Sequence, residues 1–257
     1  MARYQVILAY DGRNFHGSQR QADDRTVQRV VESTLRKLNW TGKSILFAGR
    51  TDSGVHASGQ VAAFDLAWNH SPQDLQNALN AMLPEDVAVT GLKEVSPDFH
   101  PRYDALSRSY RYRIYCQPVR DPLRERYAWQ VWPAPEIDRL QSVAPKIIGV
   151  HDFAAFGSPT RSGGSTIREV TQAEWRQVDD EFFFNISGNA FLYHMVRRLV
   201  FAMIAVGQRK LEIKDVLHHL QNPHGPVLQG LAPPQGLSLF EVSYPPAEGE
   251  NTDQNTN

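Results

Sequence analysis

Apolar and polar positions follow two rhythms along the chain. Tyr4 to Tyr10 (YQVILAY) is rich in β-forming residues and stops at Asp11-Gly12, a turn signal. Thr26 then stands before Val27, Val30, Val31, Leu35 and Leu38, a spacing that predicts an amphipathic helix capped by the threonine. A strand is predicted from Ser44 to Ala48 and a returning strand from Gln60 to Leu66, with a glycine-rich connection between them. Ser71-Pro72 opens a second helix that Pro84 ends, and Val87 to Val95 reads as strand. The rest of the chain repeats this order. Tyr110 to Cys116 is a strand, Ile137 to Ile148 a helix, and Glu174 to Val178 with Phe182 to Ser187 a hairpin around Asp179-Asp180. Phe191 to Val206 is a helix and Leu237 to Tyr244 a last strand. Each half thus reads β-α-β-β-α-β, the ferredoxin-like pattern. The expected fold is α+β, with two such halves (1–104 and 105–246) joined in one mixed sheet, helices on one face and a cleft on the other. Pro245-Pro246 ends the ordered part, and 247–257 is expected to be an acidic, disordered tail.

Composition narrows the class. The 257 residues are 41% hydrophobic and 21% charged, an ordinary globular balance. The single cysteine, Cys116, rules out an internal disulfide and any cysteine-based zinc cluster, and fits a reducing compartment. The stretch from Phe191 to Val206 is interrupted by His194, Arg197 and Arg198, so it is too short and too charged to span a bilayer. No signal-peptide layout opens the chain, and a cytoplasmic location without membrane attachment is expected. The net charge is −1, but the three acids of the tail outweigh that total and leave the remainder at +2. Between Arg102 and Arg126 seven arginines face only three acids and are interleaved with tyrosines. Such a run is either a solvated strand face or a surface where guanidinium groups meet phosphates and rings meet bases.

Chemistry concentrates at Gly49-Arg50-Thr51-Asp52-Ser53-Gly54-Val55-His56. Arg50 and Asp52 lie two apart and share one face of an extended chain; an Asx turn with a surface ion pair is the plainer reading. Gly49 and Gly54 have P-loop spacing, but Val55-His56 stands where Lys-Ser/Thr is required. The nine histidines are scattered, no His-Glu-x-x-His occurs, and His194 on its apolar helix reads as a core histidine. With no Gly-x-Ser-x-Gly elbow and no dinucleotide fingerprint, the chemistry falls to carboxylate, guanidinium and phenol. Asp52 as nucleophile or base with a positive partner is the expectation, with no metal and no cofactor.

Residues 49–57, Gly-Arg-Thr-Asp-x-Gly-Val-His-Ala, resemble the signature of the tRNA pseudouridine synthase A family. The likeness continues in order through Tyr10-Asp11-Gly12, Thr26-Val27-Gln28, Leu79-Asn80, Phe99-His100-Pro101-Arg102-Tyr103, Ser109-Tyr110-Arg111-Tyr112, His151-Asp152-Phe153, Asn189-Ala190-Phe191, His194-Met195-Val196-Arg197 and Gly236-Leu237. The resemblance implies a cofactor-free isomerase that converts uridine to pseudouridine in the tRNA anticodon stem-loop, at tRNA positions 38, 39 and 40. It implies Asp52 as catalytic aspartate, Arg197 as its basic partner, Tyr110 stacking on the target base, and Arg50 assisting nucleotide flipping. His56 and Leu237 join Tyr110 and Arg50 as implied substrate contacts, and a homodimer is implied. Ser18, Phe201 and Ser238 depart from the tryptophan, glycine and tyrosine usual there, and leave the four catalytic candidates in place. A non-catalytic RNA-binding protein or a tRNA chaperone on the same scaffold is the rival, separated by whether product forms.

Overall fold

The computed structural model describes residues 1–22 and 24–246, so the expectation for 247–257 lies outside the described residues. The first half comprises β1 (Ala2–Tyr10), α1 (Val27–Lys37), β2 (Leu46–Phe47), β3 (His56–Leu66), α2 (Pro72–Met82) and β4 (Val87–Val95). The second comprises β5 (Ser107–Tyr115), β6 (Trp129–Gln130), α3 (Ile137–Val143), β7 (Gly149–Asp152), β8 (Ile167–Val178), β9 (Glu181–Gly188), α4 (Met195–Gly207), α5 (Ile213–Gln221) and β10 (Leu237–Ser243).

All ten strands form one sheet ordered β4-β1-β3-β10-β5-β9-β8-β7, with β2 paired to β3 and β6 to β5. Within each half the order is fourth, first, third, second strand: β4-β1-β3-β2 and β10-β5-β9-β8. This is the ferredoxin-like arrangement, twice. The halves are sewn by β10, which pairs antiparallel with β5 and parallel with β3 through Ser238 opposite His56 and Leu239 opposite Ala57. The sheet is therefore mixed, as expected from the sequence.

Local chemistry explains the element ends. The Thr26 hydroxyl accepts the Arg29 amide at 3.3 Å, and Ser71 and Asp74 form a reciprocal capping box around Pro72. Leu83, forced toward extended backbone by Pro84, closes α2 at ψ 148°. Helix α3 is shorter than predicted: from Ala144 to Ile147 the chain tightens into a 3-10 turn, because Pro145 has no amide to donate. The predicted helix from Phe191 begins only at Met195, after His194 takes a left-handed conformation (φ 67°). Helix α5 has no counterpart in the sequence reading.

Paired residues point to the same side of a sheet, so register assigns the faces. Tyr10, Ala57, Leu239, Tyr110 and Ile186 form one cross-strand row through both halves. On the first half this side packs Val27, Val31 and Leu35 of α1 and Leu75 and Leu79 of α2 against the sheet. On the second it packs Leu140 and Val143 of α3 and Leu199, Val200 and Met203 of α4. Each such side chain, fully buried, contributes roughly 1.5–3 kcal/mol. His56, Ser238, Arg111 and Asn185 make the corresponding row on the opposite face. The arginine-tyrosine run is thereby divided. Tyr112 and Tyr115 are buried, Arg108 turns inward, and Arg113 and Arg124 pair with Glu181 and Asp180.

Candidate active site

A cavity of about 710 Å³ opens between the two halves, walled by their loops and the first turn of α4, and is lined by Arg50, Asp52, Tyr110, Arg197 and Leu237 among others. It lies on the helix-bearing side, since Tyr110 and Leu237 belong to that side's register. The cleft is therefore not opposite the helices, where the order of elements predicts it: helix packing covers each half but leaves the seam between them open on the same side.

The loop from Gly49 to Val55 is held at nearly every residue. Ser18 donates its amide to the Thr51 carbonyl (3.1 Å), and its hydroxyl accepts the Thr51 amide (2.9 Å). The Thr51 hydroxyl bonds the Tyr10 hydroxyl at 2.8 Å, and Gln60 donates to the Gly49 carbonyl at 2.9 Å. Gly54 and Ser53 both donate to the Phe15 carbonyl at 3.2 Å. Gly54 has φ 78°, a conformation glycine tolerates best, and Gly12 sits so close that an added Cβ would lie 2.0 Å from the Val55 carbonyl oxygen. A small polar side chain suits Ser18, fully buried in this network, where a tryptophan has no room to make the same bonds. The loop is thus a rigid platform for Asp52.

Asp52 meets its positive partner from the other half. Arg197, on the first turn of α4, places Nη1 3.1 Å from Asp52 Oδ2, and the two side chains are 10% and 19% exposed. The guanidinium is anchored by Nε donating to the Ala232 carbonyl at 2.7 Å, and the Ala232 amide donates back to the Arg197 carbonyl. His194, one turn earlier, brings Nε2 to 3.6 Å from the same Oδ2. Tyr110 is half-buried, packs edge-on against Phe191 at 5.1 Å, and has its hydroxyl over Gly49. Burial, with the Tyr10 ring and the Asp52 carboxylate nearby, pushes its phenol far above the usual value, so it keeps its proton. Tyr10, more deeply buried, is pushed up to about 12. Arg50 stands exposed at the cavity wall, and Arg102 and buried Arg108 add positive charge there. Arg108 spends its guanidinium on the Ala48, Asn189 and Arg102 carbonyls, tying the base of the loop to the second half.

Five of the six residues singled out from the sequence share this cavity. His56 does not: its ring faces the opposite side, where Nδ1 accepts the Gly12 amide at 3.0 Å and lies 3.3 Å from Asp11. Burial lowers its pKa more than the Asp11 carboxylate raises it. His194 was missed as a site residue. Its position three before Arg197, which puts both on one helix face, was the signal available. Phe201 and Gly230 form a matched pair, the glycine at φ 102° lying against the Phe201 ring, which stacks on Trp129. Ser238 faces away from the cavity. Among the described residues no helix is long and apolar enough to cross a membrane, and no cluster of three or more His, Cys, Asp or Glu is arranged to hold a metal ion.

A family model described as tRNA pseudouridine synthase matches residues 6–104 and 143–245. The tRNA pseudouridine synthase A of Limosilactobacillus fermentum is 39% identical, covering 98% of this chain and all of the relative. Tyically named relatives in Bacillus cereus, tRNA pseudouridine synthase A 1, and in Leuconostoc mesenteroides, tRNA pseudouridine synthase A, are 38% and 34% identical over 95% of this chain. They are themselves covered to 99% and 100%. Among solved structures, the archaeal box H/ACA sRNP Nop10-Cbf5 complex aligns at 14% identity and a TM-score of 0.38, over 79% of this chain and 44% of that one. That likeness is too slight to bear on fold or function.

Proposed function

Because the chain belongs to the tRNA pseudouridine synthase family, we propose that it isomerises uridines at positions 38, 39 and 40 of the tRNA anticodon stem-loop, with Asp52 as the catalytic carboxylate. The bond from C1′ to N1 of uracil breaks, the base turns, and C1′ joins C5. The C5 hydrogen leaves and N1 gains one, so the reaction is redox-neutral.

The observation that carries this reading is the Asp52–Arg197 pair, formed across the two halves on the floor of the cavity beside Tyr110. A guanidinium at 3.1 Å compensates a carboxylate that is largely out of water. Asp52 acts on the nucleoside, by attack or by removal of a sugar proton. Tyr110 supplies a stacking ring and a phenol that remains protonated, able to donate to the base. A uridine inside a stem must first leave its stack, at a cost of a few kcal/mol. Arg50, at the cavity wall, fills the space the base vacates, and Leu237 packs against the flipped nucleotide. Residues 1–104 and 105–246 act as the two halves of this clamp, and the enzyme works as a homodimer, which sedimentation velocity tests.

The deciding experiment is tritium release from tRNA carrying 5-tritiated uridine, with Asp52→Asn as control. The wild type is expected to release tritium and the variant to lose about a hundredfold or more in rate, while tRNA binding persists. A non-catalytic RNA-binding protein or chaperone would release none in either form.

A further inference from the structure

His194 stands beside Asp52 with no part in the reaction as described so far. Its ring reaches to 3.6 Å from Oδ2, the oxygen that Arg197 already holds at 3.1 Å. Its backbone is left-handed at φ 67°, a conformation uncommon outside glycine, and its ring stacks on Tyr193 with centroids 3.7 Å apart. Backbone, stacking and helix start therefore hold the imidazole beside Oδ2. Two nitrogens converge on Oδ2, Arg197 Nη1 donating to it and His194 Nε2 just beyond hydrogen-bond distance, and among the described residues no hydrogen bond occupies Oδ1.

Resting on the assignment of Asp52 as the reacting carboxylate, we propose that His194 is a positioning residue whose neutral ring holds Oδ2 together with Arg197, so that Oδ1 is the oxygen presented to the nucleotide, and whose protonation switches the site off. The groups that face it are Asp52 from the loop after β2, Tyr193 beside it, and Arg197 and Arg198 from α4. Arg50 and His16 from the first half and Tyr110 from β5 line the same cavity. Burial depresses the histidine's pKa first of all; the Asp52 carboxylate pulls it up, and Arg197 and Arg198 push it down, for a net fall below 6.5. At neutral pH the ring is uncharged and can donate through Nε2 after a small closing movement. As pH falls through the depressed pKa the ring becomes an imidazolium, and a second full cation then sits on Asp52. That cation stabilises the resting carboxylate and weakens it as nucleophile or base.

The test is single-turnover pseudouridine formation from about pH 5 to pH 8, where histidines titrate, for wild type, His194→Asn and His194→Gln. Asparagine tolerates the left-handed backbone, so it removes the imidazole with the helix start intact. The wild-type rate should rise from acid pH to a plateau. In His194→Asn the acid limb should shift to lower pH and the plateau drop roughly tenfold to a hundredfold, the scale of a misplaced reacting group, with tRNA affinity unchanged. A variant with the wild-type plateau and limb overturns the proposal. A wild type that forms no product overturns the assigned reaction instead. Histidine NMR titration separates the two: Asp52→Asn should lower the His194 pKa, and an unmoved pKa overturns the pairing whatever the activity.

Discussion

Arg197 does two things with one side chain, and they can be taken apart. Nε fixes the loop at Ala232, and Nη1 holds Asp52. Arg197→Gln should therefore abolish turnover and also lower stability, by about 2 kcal/mol for hydrogen bonds to a charged group, read as a lower urea midpoint. Arg197→Lys restores the charge but not the fork, and should recover more stability than activity. For Asp52 an Asx turn with a surface ion pair is the plainer reading of its glycine-punctuated connection, and Arg197 enters only through the family resemblance; the structure brings the two to 3.1 Å. His194 was not legible, because a histidine on an apolar helix usually ends in the core. Its spacing three before Arg197 is the one signal, and the left-handed backbone at φ 67° departs from the helix that spacing implies. His56 misled in the opposite sense: within the same motif, four residues from Asp52, strand alternation sends its ring to the other face.

At the scale of elements, periodicity revealed what is long and capping revealed where it starts. Helix α2 is the clearest case, with Ser71, Pro72 and Asp74 all acting at its first turn. Ser71→Ala removes the hydroxyl that accepts the Asp74 amide at 3.1 Å. The expected loss is about 1 kcal/mol, seen as a fall in thermal midpoint with catalysis unaffected, because this turn lies away from the cavity. Strands β2 and β6, two residues each, have no period to read, and the predicted strand over Ser44 to Ala48 contracts to Leu46–Phe47. The first turn of α4 shows a functional reason for a late start: Phe191 to His194 leave the helix so that Phe191 can meet Tyr110 and His194 can meet Asp52.

For the whole molecule, the order of elements was enough to suggest two ferredoxin-like halves, but not the side on which the cavity opens. That side depends on register across the seam, where only two residue pairs join β10 to β3, and no local pattern encodes a pairing between residues about 180 apart. The same seam sets a schedule for synthesis. Residues 237–243 leave the ribosome after every other strand of the sheet, yet they occupy its middle, between β3 and β5. Each half can begin to collapse earlier, and the loop around Asp52 can find Ser18 and Phe15 at once. The cavity is complete only when β10 has joined the halves, since Leu237 lines it. A nascent chain stalled before Leu237 should accordingly resist protease around α1 and α2 but make no pseudouridine, and activity should appear once β10 clears the exit tunnel. Catalytic competence should thus wait for the last strand, and products truncated before Leu237 should be silent.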